Sequence, residues 1–310
     1  MAAETITATA AGTWRLGDLV VNRLGFGSMR LAQTGPAFAA SAAPSDRSRA
    51  IATLRRAVEL GVNHIDTAAF YFSPLRSANE LINAALAPYP DDLVIVTKVG
   101  PGRDASGQWT DAARPDQLRG QVEENLRQLG RDYLDVVNYR RQAGVESITE
   151  HVGALTELRD AGLIRHLGIS GVTPAHLAEA QAIAPVVCVQ NAYSVTDRRP
   201  ESQALLRACG DHGIAFVPFF AIAGAGRHDG AAAAEPRLVH VARAHGATVA
   251  QVRLAWTLHQ GPQVLAIPGT GNPDHLAENV AAGAIRLSAD ELASLDSLGQ
   301  PPTSASRLPR

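Results

Sequence analysis

Two hydrophobic periods alternate along the chain. Short apolar runs at residues 24–27, 63–65, 93–98, 133–137, 166–169, 186–189, 215–218 and 264–267 have the length and continuity of buried strands. Between them, residues 46–60, 115–129, 148–161, 174–183 and 201–211 repeat their apolar positions every three to four residues and predict helices. A further helical pair, 237–244 and 248–260, precedes the last strand. Leu60, Leu129, Ala161 and His212 are each followed by glycine, which takes the left-handed position that ends a helix and turns the chain toward the next strand. Ahead of this series, residues 14–16 and 20–24 flank Gly17-Asp18 as a hairpin. Eight strands alternating with helices predict a parallel sheet closed into a (β/α)8 TIM barrel, an α/β fold, with an N-terminal β-hairpin. The open doubly wound alternative normally carries GxGxxG after its first strand. Here Gly25-Phe26-Gly27-Ser28-Met29-Arg30 lacks the third glycine.

Length agrees with one such domain: 310 residues, read as a flexible tail over 1–12, a single barrel domain over 13–299 and a C-terminal tail over 300–310. The alanine- and glycine-rich stretch 221–235, with Gly224, Gly226 and Gly230, reads as a mobile loop over the site.

Composition narrows the partners. With 28 basic against 30 acidic residues and no long run of either sign, neither a nucleic acid nor a membrane surface is indicated. The longest uncharged apolar segment, 213–226, is too short to span a bilayer and contains Pro218. The start of the chain lacks the basic and apolar regions of a signal peptide, so the expectation is a cytoplasmic protein with a small-molecule substrate. Oligomeric state is not specified. Cys188 and Cys209 form no CxxC pair and read as buried thiols. His64 and Asp66 share a strand face, but no HxH or HExxH motif accompanies them; no metal site is expected, and His64 reads as a core residue.

The chemistry concentrates in three residues. Asp66 and Tyr71 follow the second predicted strand and Lys98 ends the third, which places them at the barrel end where such folds carry their active sites. A phenol titrates near ~10 and is a poor acid at neutral pH. A neighbouring lysine favours the phenolate and lowers that value, and an aspartate can fix the lysine. The trio therefore predicts protonation of a carbonyl oxygen.

At this point the chain resembles the aldo-keto reductases over nearly its whole length. Ile65-Asp66-Thr67…Tyr71 and Lys98 match three of that family's four catalytic positions. Gly168-Ile169-Ser170, Gln190-Asn191, Val217-Pro218-Phe219-Phe220 and Ile267-Pro268-Gly269-Thr270…Glu278-Asn279 follow in order. The fourth position, usually histidine, is Arg140 here, on the strand face of Asn138. With Arg140, the chain looks most like the branch containing bacterial pyridoxal reductases (pyridoxine 4-dehydrogenases). Arg140 either polarises the carbonyl oxygen or binds an anionic substrate group; the bland alternative pairs it with Asp66 or another barrel carboxylate. Phe72, where the family usually has glycine, and Asn138 are candidate substrate contacts.

The resemblance implies a nicotinamide cofactor bound across the barrel mouth, with Ser170 and Gln190 on the carboxamide and Phe219 stacked on the ring. The next position after Ser170, usually asparagine, is Gly171. Thr270, Asn272, His275, Glu278 and Asn279 are implied at the adenosine end. Family membership implies NADPH, with NADH the alternative because no lysine or arginine stands in that segment. The implied activity is reduction of an aldehyde or ketone to an alcohol, or the reverse, with pyridoxal one substrate. Alternatives are a dehydrogenase of a larger secondary alcohol or ketone and a nicotinamide-binding regulatory barrel with little turnover.

Overall fold

The structure, a computed structural model, describes residues 5–35, 38, 42–222 and 235–299. Seven strands form one parallel sheet in the order Ala215–Phe219, Val186–Ala192, Ile164–Ser170, Leu134–Arg140, Val94–Val99, His64–Asp66 and Phe26–Gly27. Residues 264–266 supply the eighth position and close the ring. Ala266 bridges Leu24 and Val264 bridges Phe216 in parallel, and Leu265 N donates to Phe216 O (2.9 Å) while Ala266 N donates to Arg23 O (2.8 Å). No open edge is left, and the predicted barrel is the fold.

Strand alternation divides the core. Val94, Val96, Val136, Cys188, Ala215, Val217 and Leu265 point inward and pack with Leu16 and Val21 of the hairpin Thr13–Leu16/Leu19–Asn22, which plugs the N-terminal end. Ile95, Val137, Tyr139, Ile169, Val189 and Phe216 point outward into the layer beneath the helices. The predicted helices are present as α1 Arg47–Glu59, α3 Leu118–Leu129, α4 Thr149–Asp160, α5 Pro174–Gln181, α6 Pro200–Asp211, α7 Pro236–Ala244 and α8 Val249–His259. Sequence periodicity missed α2, Ala78–Leu86, and α10, Ala289–Asp296. Each spans only two to three turns, too short for its period to stand out, although Ser77 and Ser288 cap them. Helix α9 is Pro273–Ala281.

The expectation of a flexible tail over 1–12 needs correction within the described residues. Ala8–Ala11 forms a 3-10 turn with Ala8 and Ala11 buried, and Ala8 N donates to Leu60 O (2.8 Å). Small side chains there permit close packing rather than looseness. The C-terminal tail and residues 223–234 of the anticipated mobile loop lie outside the described residues. Among the described residues no helix is long and apolar enough to cross a membrane.

Candidate active site

Above the apolar plug the barrel interior turns polar in two layers. Register places Lys98, Asn138, Gly168 and Cys188 side by side, and one step higher Arg140, Ser170 and Gln190. Gly168 is required by space. A Cβ there would stand 2.6 Å from Cys188 Sγ and closer still to Asn138 Oδ1, so glycine lets those side chains meet across the strand.

Asp66 anchors the cluster. Lys98 Nζ donates to Asp66 Oδ1 (2.5 Å) and to Thr67 O (3.1 Å), and Gln190 Nε2 donates to Asp66 Oδ2 (2.8 Å). Asp66 and Lys98 are 4% and 5% exposed, so their charges are compensated by each other rather than by water. The segment bearing Thr67 is held by a buried relay. Ser28 Oγ donates to Thr67 Oγ1 (2.8 Å), Thr67 Oγ1 to Asn79 Oδ1 (2.7 Å), and Asn79 Nδ2 to Asn125 Oδ1 (3.0 Å). These polar groups tie the second barrel strand to α2 and α3.

Tyr71 is buried, and Lys98 Nζ lies 5.0 Å from its ring centroid. Here the structure corrects the electrostatic expectation. Burial of the phenol raises its pKa above the ordinary value; Lys98 and Arg140 pull it down and Asp66 pushes it up, with the net direction upward. Burial alone would lower the Lys98 pKa, but Asp66 and Tyr71 reverse this and raise it.

Arg140 ends the fourth barrel strand, and its guanidinium carbon lies 5.2 Å from the Phe219 ring centroid. It has no ion pair with Asp66, whose two oxygens serve Lys98 and Gln190. Burial lowers its pKa while the Tyr71 phenolate would raise it, but a guanidinium stays charged throughout the physiological range. Arg141 turns away and donates to Gly171 O (2.9 Å) and Val145 O (2.9 Å).

Two polar atoms in these layers lack partners among the described residues. Ser170 Oγ and Asn138 Nδ2 are fully buried without a hydrogen bond, although Asn138 Oδ1 accepts from Cys188 Sγ (3.2 Å). Buried orphans cost free energy and call for an explanation. His64, equally buried beneath Gly25, also has an unpartnered Nδ1, and burial lowers its pKa.

The remaining candidates lie at the rim. Asn272 caps α9 by accepting from Asp274 N (3.1 Å), and its own N–H donates to Thr270 Oγ1 (3.0 Å). His275 and Glu278 are exposed on that helix and Asn279 is buried. Gly27 and Gly269 bring this segment against the first barrel strand: a Cβ at Gly27 would stand 2.6 Å from Ile267 O.

Sequence reasoning missed the cover over Tyr71. Phe38 and Phe70 pack on it, with ring centroids 5.8 and 5.1 Å from that of Tyr71, and Trp109 packs on both of these, at 5.1 and 5.7 Å. Arg103 fastens this cover. Its Nη1 donates to Phe70 O (3.3 Å) and Phe72 O (2.7 Å), the carbonyls on either side of Tyr71, and its Nε donates to Gly107 O (2.9 Å). The guanidinium also faces the Phe72 ring at 4.5 Å. Phe72 thus faces Arg103 and lines, with Phe70, Lys98 and Gln128, a cavity of about 660 Å³. The available signal was Trp109, 48% exposed in a loop of small and polar residues.

A closed eight-stranded barrel with a buried Asp–Lys–Tyr cluster at the C-terminal ends of its strands defines a class of carbonyl-directed barrel proteins. The chain belongs to the aldo/keto reductase family, whose sequence profile matches residues 23–300. It is 43% identical over 297 residues to the pyridoxine 4-dehydrogenase of Escherichia coli K12, covering 94% of this chain and 99% of that protein. Among solved structures it is similar to the thermostable aldo-keto reductase Tm1743 in complex with epalrestat (TM-score 0.78, 31% identity, 93% of this chain and 99% of that one). It is also similar to an aldo/keto reductase from Klebsiella pneumoniae in complex with NADP and acetate (TM-score 0.75, 30% identity, 96% and 98% covered).

Proposed function

We propose that this protein is an NADPH-dependent reductase of aldehydes, with pyridoxal, reduced to pyridoxine, as the leading substrate and the reverse oxidation also open to it. The carrying observation is the buried Asp66–Lys98–Tyr71 cluster with Arg140, which has no ion pair among the described residues, in the layer above it. The likeness to a pyridoxine 4-dehydrogenase and to an NADP-bound structure supports the substrate and the cofactor. The aromatic cover of Phe38, Phe70 and Trp109 suits a flat heteroaromatic aldehyde. Two buried free thiols agree with a cytoplasmic location.

The residues present fit a nicotinamide. Ser170 Oγ, buried and without a partner, can bond its carboxamide, Gln190 adjoins it in the register, and Phe219, a half-buried ring in contact with the Arg140 guanidinium, ends the neighbouring strand. Thr270, Asn272, His275, Glu278 and Asn279 at the start of α9 would hold the adenosine end, where a helix N-terminus favours phosphate. The cofactor, when bound, supplies the hydride.

Tyr71 donates the proton to the carbonyl oxygen; its raised pKa keeps it protonated at neutral pH. Lys98, held by Asp66, limits the cost of the phenolate left behind. Arg140 places a fixed cation where negative charge develops on oxygen. Asn138 and Phe72 bound the substrate space. The test is oxidation of NADPH and NADH by the purified protein with pyridoxal, sugar aldehydes and bulky ketones, beside Tyr71→Phe. Turnover of pyridoxal that Tyr71→Phe abolishes, with NADPH binding retained, is the expected result. Tight NADPH binding without turnover of any carbonyl would instead identify a regulatory barrel, and unchanged turnover in Tyr71→Phe would sink the assignment.

A further inference from the structure

Arg140 stands on an inward face crowded by its neighbours, and what gives it room is a missing side chain. Gly171 follows Ser170, the residue paired with Arg140 in the parallel register. Its φ is +70°, and a Cβ built on it would lie 2.9 Å from Arg140 Cζ and closer still to Nη1. The backbone around it is fixed independently. Gly171 N donates to Gln190 O (3.0 Å), and Asn191 Oδ1 accepts from both Gly171 N (3.0 Å) and Val172 N (3.1 Å). Arg141 Nε donates to the Gly171 carbonyl (2.9 Å). Gly171 therefore cannot retreat, and any side chain there must displace the guanidinium.

We propose that Gly171 is a positioning residue: by leaving the niche beside Ser170 empty, it seats the Arg140 guanidinium against Phe219 and so fixes the cation that faces the substrate oxygen. The inference rests on the role of Arg140 in the function proposed above. It makes Arg140 and Gly171 a dependent pair. Arginine at this strand end works only with no side chain at 171. Displacing the far end of a long side chain costs the fold little, so the penalty falls on catalysis rather than stability.

The test is a double-mutant cycle with Gly171→Asn and Arg140→Ala. Asparagine tolerates the left-handed backbone, and whatever backbone cost remains is common to both backgrounds. Gly171→Asn alone is expected to lower kcat with pyridoxal about as much as Arg140→Ala does, on the order of 10²-fold. In the Arg140→Ala background it should change kcat less than about threefold, with thermal stability shifted by only a few degrees. Equal losses in both backgrounds would overturn the pairing. A crystal structure of Gly171→Asn gives a readout independent of turnover: the guanidinium should have left the Phe219 ring, and finding it unmoved would also overturn the proposal. Should Arg140→Ala leave turnover intact, the catalytic role of Arg140 fails, while the crystal structure still decides whether Gly171 seats it.

Discussion

Replacing Arg103 by methionine tests whether the cover over Tyr71 is fastened as the geometry indicates. The substitution keeps much of the aliphatic packing and removes a guanidinium bonded to Gly107 O (2.9 Å), Phe72 O (2.7 Å) and, at 3.3 Å, Phe70 O. A charge-assisted hydrogen bond contributes about 1.5–3 kcal/mol. Arg103 is half-buried and the released carbonyls can find water, so the lower end applies to the two short bonds, about 3 kcal/mol together. Loss of the contact with the Phe72 ring adds about 0.5–1 kcal/mol. Most of this appears as local opening of the two loops rather than as global unfolding. Urea unfolding should therefore show a loss of only about 1 kcal/mol. Tyr71, the proton donor of the proposed function, lies between the two released carbonyls, and misplacement of such a group by about 1 Å can cost up to about 100-fold, so a fall of about tenfold or more in kcat/KM is expected. Arg103→Lys should recover only part of it, since an ammonium cannot bridge planar acceptors in the same way. The assay is pyridoxal-dependent oxidation of NADPH, with urea unfolding of the same samples. A kcat/KM within about twofold of the parent, at unchanged stability, would refute the clamp.

Two further outcomes follow from the same structure. Arg23 donates to Ala11 O (3.2 Å), Leu258 O (2.5 Å), Gly261 O (2.6 Å) and Val264 O (3.1 Å), joining the first strand to the closing segment and the end of α8. Arg23→Met should lower unfolding free energy by about 3–5 kcal/mol in urea titrations, and a loss below about 1 kcal/mol would contradict its closing role. The second concerns pH. Burial raises Tyr89 and Tyr139 to about 12 and raises Tyr71 as well, so between about 10 and about 12 the folded state holds protons that the unfolded state has released. Their stabilisation is complete below about pH 10 and is lost as pH rises through the folded values, as is that of Lys98, whose pKa is also raised. Urea midpoints should be level from neutrality to about pH 9.5 and then fall, less steeply in Tyr71→Phe; an equal alkaline slope in that variant would remove Tyr71 from the account.

Sequence alone determined the architecture and singled out Asp66, Tyr71 and Lys98, because both rest on local regularities. Apolar runs of strand length alternating with amphipathic stretches and closing glycines specify eight βα units, and parallel strands can bury both faces only in a layered or closed sheet. Placing Asp66, Tyr71 and Lys98 at strand ends follows from that count, and strand alternation put Arg140 on the face of Asn138. The short helices Ala78–Leu86 and Ala289–Asp296 escaped detection because so few turns leave no clear period. The docking of Ala8–Ala11 escaped for a different reason, since small residues carry no periodic signal at all.

Tertiary structure decided everything that depends on which distant groups share a volume. Whether the phenol is pulled down by Lys98 or pushed up by burial is a balance of solvation and charge that no spacing encodes; in the folded chain burial wins. Among the described residues Arg140 has no carboxylate partner, since Asp66 is already occupied by Lys98 and Gln190, residues 32 and 124 positions away in sequence. Arg103 could not be recognised as the fastening of Tyr71, because its partners are backbone carbonyls and carbonyls are the same in every residue. Gly171, a gap in a motif when read along the chain, gains its meaning from the guanidinium that fills the space its side chain would take.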